Sequence, residues 1–220
     1  MRISPAQLTV LLKPLNPSRV STRAGSGGSG RLSYLEAWDV KASLIRVFGF
    51  GGFSADVIQS SILRMEKDIP AYTGGRDNRT RKMDADGNPD FNWSIMAQAT
   101  VRLTLHDPDL DHDATYTETA ISSQVGPDIG EVADFAVKTA ESDALKRAAI
   151  YLGTQFGLSL YDDGKTTDII KVTFAPGQTD DVVQEYKQHP SGAADKGDPV
   201  DQAREFIERA TSGTAAQAQA

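Results

Sequence analysis

The chain has no cysteine among its 220 residues, which excludes disulfides, thiolate metal sites and thiol nucleophiles, and the composition suits a reducing cytoplasm. Long apolar runs are missing too. No stretch approaches the roughly 18 apolar residues of a membrane span, and the N-terminus lacks the basic region, apolar run and small-residue cleavage site of a secretory leader. Neither membrane insertion nor export is expected. There is no internal repeat and no Gly-x-Ser-x-Gly, so a serine-hydrolase reading has no support.

Positive charge is in deficit as well: 23 Lys and Arg stand against 30 Asp and Glu, a formal charge of −7. Taken whole, that disfavours a nucleic-acid partner, because phosphate binding relies on Lys and Arg displacing counterions. The distribution changes the reading. Residues 162–220 hold 11 of the acids against 6 basic residues, while the first 31 residues carry Arg2, Lys13, Arg19, Arg23 and Arg31 with no acid. The basic charge is local.

What is present is an alternation of helical and strand-like periods. Ser4 to Leu12 predicts a short helix, with Ser4 as N-cap, Pro5 at its first position and Leu8, Leu11 and Leu12 on one face. The glycine- and serine-rich stretch between Arg23 and Arg31 predicts a mobile loop. From Tyr34 to Phe48 apolar residues recur at helical spacing and Gly49 is the expected stop, giving a helix that should pack on a sheet. Three β-compatible runs follow, Phe53 to Lys67, Phe91 to Leu105 and Ala114 to Val125, and predict an antiparallel meander of three or four strands. Its first loop, Thr73 to Pro89, contains Arg76, Arg79, Arg81 and Lys82; its second, Asp107 to Asp113, is acidic. Ile129 to Phe156 reads as one long helix with Leu145, Ala149, Leu152 and Phe156 along a stripe, Lys146 beside it, Arg147 nearly opposite, and Gly157 as terminator. The fold class is therefore α+β, an antiparallel meander packed on a long helix. After about Asp162 the polar composition predicts a largely disordered acidic tail, residues 163–220, with a short helix near Val200 to Ala210.

Familiar site motifs fail on inspection. Gly164-Lys165-Thr166 lacks the upstream glycine of a phosphate loop, because Ser159 occupies that position, and Asp162 and Asp163 repel phosphate. Phe48 to Phe53 is no dinucleotide fingerprint, since Ser54 stands at the third glycine position and the segment follows a helix. Asp107, Asp109, Asp111 and Glu118 echo a calcium loop, but His112 replaces the turn glycine and Pro108 stiffens the start. His106 and His112 form no His-x-His or Glu-x-x-His pair, so a metal-dependent nuclease at this loop is the weakest reading. No cofactor and no metal is expected. Each basic residue alone is adequately explained as a solvated face.

Two blocks give those residues a context. Leu32-Ser-Tyr-Leu-Glu-Ala-Trp at 32–38, running on to Val47-Phe-Gly-Phe-Gly-Gly-Phe at 47–53, resembles a helix start and a turn into the first long strand in the Rad fifty-two superfamily of single-strand annealing proteins. Lys138-Thr-Ala-Glu-Ser-Asp-Ala-Leu-Lys-Arg-Ala at 138–148, then Leu152-Gly and Phe156-Gly, is similar to that family's most recognisable helix. The likeness spans roughly residues 23–162, with the strands around Ala99 to Leu105 and Glu118 between the blocks.

The resemblance implies a β-β-β-α core, protomers joined side by side in a ring, and a basic groove that holds one DNA strand by its phosphates with bases exposed. Carried onto this sequence, Lys146, Arg147, Arg23 and Lys138 become backbone contacts, with Arg19 as the substitute for Arg23. Ile150 stands where many relatives have another arginine, and Asp128 and Glu131 where some place lysines. A second DNA site would therefore fall to Arg76, Arg79, Arg81 and Lys82.

On this reading residues 1–162 bind and anneal single-stranded DNA as a homo-oligomer, without ATP and without enzymatic chemistry. The setting would be recombination and repair in the cytoplasm of a bacterium or a phage-infected host. The tail would recruit a partner such as a single-strand binding protein or a recombinase. The competing reading is an oligomeric interaction module of the same fold without DNA binding.

Overall fold

The structure, a computed structural model, describes residues 3–25, 30–75, 78–106 and 113–170. Arg76, most of the acidic loop, and the tail from Lys171 onward, including the expected helix near Val200, lie outside the described residues.

Helix α1, Pro5–Leu11, starts where the sequence places it. Ser4 and Gln7 form a reciprocal capping box, the Ser4 hydroxyl accepting from the Gln7 amide and the Gln7 side chain accepting from the Ser4 amide. Leu8 and Leu11 are buried. The mobile loop expected between Arg23 and Arg31 lies largely outside the described residues; on either side of it β1, Val20–Ala24, pairs antiparallel with β2, Arg31–Leu35, setting Arg23 opposite Leu32 and Tyr34 opposite Ser21. Tyr34 and Leu35 thus belong to a strand, and helix α2 runs only over Ala37–Phe48, closed by Gly49 at φ 79. It packs chiefly against helix α3, Ile129–Ile150, against α1 and against the turn after α3, and its Val40 and Leu44 join the core cluster that includes Val101, Leu103 and Leu105 of the sheet.

The meander is as expected. Strands β3, Phe53–Pro70, β6, Phe91–Leu105, and β7, Ala114–Gly126, form an antiparallel sheet in the order β3-β6-β7. Between β3 and β6 the chain adds a small hairpin of β4, Tyr72–Thr73, and β5, Thr80–Arg81. Alternate residues of β6, Ile95, Ala97, Ala99, Val101, Leu103 and Leu105, are buried against helix α3, Ile129–Ile150. That helix presents Ala136, Ala140, Ala144 and Ala148 at four-residue intervals, all fully buried, so mostly small side chains face the sheet, with Val132 and Leu145 packed beside them. Sealing Ile95, Leu103 and Leu105 under it contributes about 1.5–3 kcal/mol per side chain.

The helix ends earlier than the apolar stripe suggests. Gly153, at φ 94, separates it from a short 3-10 turn, Thr154–Phe156, so Leu152 and Phe156 reach the core from beyond α3 rather than from it. The following chain stays on the body: the Leu15 amide donates to the Thr166 carbonyl at 2.9 Å.

Strand β3 is the uncovered edge. Val57, Ile62 and Met65 lie opposite Val101, Ala97 and Ile95, hence on the helix side of the sheet, yet each is 43–49% exposed because α3 lies mainly over β6 and β7.

Candidate nucleic-acid interface

A groove of about 770 Å³ lies between the β1–β2 hairpin, the middle of β7, the last turns of α3 and the segment around Tyr161 to Gly164. Arg23, Arg31, Tyr34, Lys146 and Arg147 line it. The hairpin holds Arg23 and Tyr34 on adjacent strands, and the Tyr34 ring lies between two cations, with the Arg23 guanidinium 5.7 Å and the Lys146 ammonium 5.5 Å from its centroid. Lys146 is steadied by Asp143 at 2.7 Å, one turn earlier, and Arg147 donates to the Thr119 carbonyl of β7 at 2.8 Å. Both consecutive side chains line the groove. The Tyr34 phenol is held above its usual 10.0, first by its hydrogen bond to Glu36, so it remains neutral at physiological pH.

Four cations against Asp143 and Asp163 make this wall positive in an acidic chain. Guanidinium and ammonium groups around an aromatic ring suit a string of phosphates, with room for a ring system beside them.

Other residues singled out from the sequence stand elsewhere. Arg19 is not at the groove: it donates to both Asp39 oxygens, the Ser43 hydroxyl, the Gln155 side chain and the Gln155 carbonyl, which occupies its whole fork. Lys138 is exposed on α3, bonded to Asp134 at 2.6 Å, about two turns before Lys146. Arg79, Arg81 and Lys82 gather at the sheet end. Arg79 covers the Tyr72 ring at 4.0 Å, Arg81 covers Phe91 at 4.7 Å, and Lys82 pairs with Asp90 at 2.6 Å. Thr100, opposite the groove residue Thr119, is nine residues along β6 from Phe91, so groove and tip are separated by about 30 Å.

Arg31 and Tyr34 were not singled out as contacts from the sequence, although Arg31 belongs to the basic N-terminal segment and Tyr34 to the first family-like block. A second aromatic feature gave no sequence signal: Tyr151, just past α3, stacks on Tyr116 of β7 at 5.3 Å and donates to Glu118 at 2.9 Å. Among the described residues, no three His, Asp or Glu side chains converge to hold a metal, and no helix is long and apolar enough to cross a membrane.

Comparison with known proteins identifies the family. The family model described as Rad52/22 family double-strand break repair protein matches residues 5–179. The chain is 32% identical over 175 residues to the DNA repair and recombination protein RAD52 of Saccharomyces cerevisiae, covering 79% of this chain and 31% of that one. It is 30% identical over 198 residues to the RAD52 of Candida glabrata, covering 86% and 33%. Against the DNA repair and recombination protein rti1 of Schizosaccharomyces pombe the identity is 28% over 180 residues, covering 78% and 39%. The chain thus corresponds to about a third of the length of these relatives. With a match that runs from the first helix past the groove, the chain belongs to the Rad52/22 family of double-strand break repair proteins.

Proposed function

We propose that this chain binds single-stranded DNA in the groove and anneals complementary strands in DNA repair and recombination, acting as a homo-oligomer without ATP. The observation that carries the reading is the convergence of Arg23, Lys146 and Arg147, from distant parts of the sequence, on one groove, with Arg23 and Lys146 at the Tyr34 ring. The DNA repair and recombination names of the relatives point the same way.

Cations that take phosphates release counterions and give affinity without choosing a sequence. Bases left unread stay available to an incoming strand. Base pairing then supplies the driving force, so neither a nucleotide site nor a bond-making residue is required, and the protein is a binding protein rather than an enzyme. Self-association supplies the rest of the affinity: a few cations per protomer act together along a shared groove, which reconciles binding with the acidic total charge. The apolar side of the long edge strand β3 is a surface that a second copy would cover.

The Arg79, Arg81 and Lys82 tip offers a second DNA contact in the same proposal, with Lys138 and Arg76 as further phosphate contacts. The acidic tail recruits a partner such as a single-strand binding protein or a recombinase; removing residues 171–220 leaves annealing of naked DNA intact.

The deciding experiment is annealing of two labelled complementary oligonucleotides without ATP or metal, comparing wild type with Lys146→Ala/Arg147→Ala at unchanged oligomeric state. Fast annealing that the variant loses supports the function and the groove. If wild type neither binds nor anneals single strands, the chain is an interaction module built on the same fold.

A further inference from the structure

Beside the groove stands an aromatic stack that phosphate binding leaves unused. Tyr116, on the helix side of β7, packs against the hydrophobic core, and Tyr151 lies over it with ring centroids 5.3 Å apart and planes 13° from parallel. Tyr151 is 61% exposed, so its ring has one face on Tyr116 and the other toward solvent. Its hydroxyl donates to Glu118, which fixes the ring in its plane. An exposed tyrosine held from below and at its edge is a preorganised platform.

Position supplies the second half of the argument. Arg147 and Tyr151 are one helical turn apart, and they reach consecutive residues of β7, Arg147 to the Thr119 carbonyl and Tyr151 to the Glu118 carboxylate. Ile150 and Thr119 line the groove, so the stack adjoins it at the end where α3 stops. A strand whose phosphate is held by Arg147 has its neighbouring base within reach of the open face of Tyr151. The carboxylate of Glu118 repels phosphate there, which favours a base over backbone at that point.

We propose that Tyr151, backed by Tyr116, is a nucleobase-stacking platform at the edge of the groove. This rests on the single-stranded DNA reading above. It adds a base contact to a site otherwise made of phosphate contacts, and stacking there is indifferent to sequence because every base has a π-face. Stacking one base per protomer also keeps successive bases apart and presented.

The test compares wild type, Tyr151→Ala, Tyr151→Phe and Arg147→Ala for binding to fluorescent oligothymidylate and to an abasic oligonucleotide of equal length, across a salt series. Wild type should prefer the oligothymidylate; Tyr151→Ala should bind it about tenfold more weakly while binding the abasic strand unchanged. Its salt slope should match wild type, whereas Arg147→Ala should lower the slope on both strands. Tyr151→Phe, which keeps the ring, should retain the preference. An unchanged preference in Tyr151→Ala overturns the proposal, as does equal weakening on both strands, equal loss in Tyr151→Phe, or an altered oligomeric state, which would put the ring in an interface between copies. Absence of any single-strand binding by wild type instead overturns the underlying function.

Discussion

The guanidinium of Arg19 grips the carboxylate of Asp39 at both oxygens, 2.7–3.1 Å away, with only 14% and 4% of the two side chains exposed. Through Ser43 and Gln155 the same fork ties the approach to β1 to α2 and to the turn after α3. Arg19→Ala leaves Asp39 buried without its partner and should cost about 3–5 kcal/mol, read as a lowered urea midpoint. Below its melting temperature the variant should keep the salt slope of DNA binding. A reduced slope with unchanged stability would make Arg19 a phosphate ligand instead of a clamp.

In the groove the expected effect is electrostatic. Lys146→Ala/Arg147→Ala should reduce the slope of log affinity against log salt by about 0.7 for each phosphate that is no longer neutralised, with little change in unfolding midpoint. Fluorescence anisotropy over a salt series checks this.

Asp143 holds the Lys146 ammonium at 2.7 Å, and on the proposed function it would compete with a DNA phosphate for it. Asp143→Asn should tighten single-strand binding about two- to fivefold at low salt, within the range of a partly exposed ion pair, and the gain should shrink as salt rises. Weaker binding would mean that Asp143 chiefly positions Lys146.

The tip hairpin should open in acid. The Asp90 carboxyl is lowered from its usual 3.8 first by its hydrogen bond from Lys82, and that of Asp84 first by the Asn88 amide. A depressed carboxyl binds fewer protons folded than unfolded, so its contribution is complete above the unfolded value and fades as pH falls through the lower folded one. Amide exchange should show protection at Ala71, Lys82 and Asp90, whose amides bridge the hairpin base, weakening below about pH 4.

At the turn into β3, a Cβ on Gly52 would lie 1.9 Å from the Phe48 carbonyl oxygen. Backbone cannot yield as a side-chain end does, so Gly52→Ala should destabilise by about 1–3 kcal/mol, measurable by thermal melting.

The meander is legible because its strands carry a period of two over many residues, as in the alternation from Ile95 to Leu105. Tyr34 and Leu35 read as helix because their spacing to Trp38 fits one, while their true partners, Ser21 and Val20, lie across a glycine-rich stretch of sequence that local periodicity does not cross. The long helix reads as too long for a related reason: Leu152 and Phe156 preserve the apolar interval, and only the φ of 94 at Gly153 reveals the break. Lys146 and Arg147, within the second family-like block, and Arg23, upstream of the first, are the cations read from the sequence that the fold brings to one groove. The role of Arg19 is not legible, since a formal charge says nothing about a partner twenty residues on, and the Tyr116–Tyr151 stack joins two elements that no short motif links.

The groove draws one wall from the first hairpin and the other from the end of α3, and the Leu15 to Thr166 hydrogen bond fastens those ends together. A chain still emerging from the ribosome therefore has Arg23 and Tyr34 long before Lys146 and Arg147 exist to face them. The growing polypeptide cannot assemble this cation cluster early; the cluster matures only once synthesis has passed the far wall.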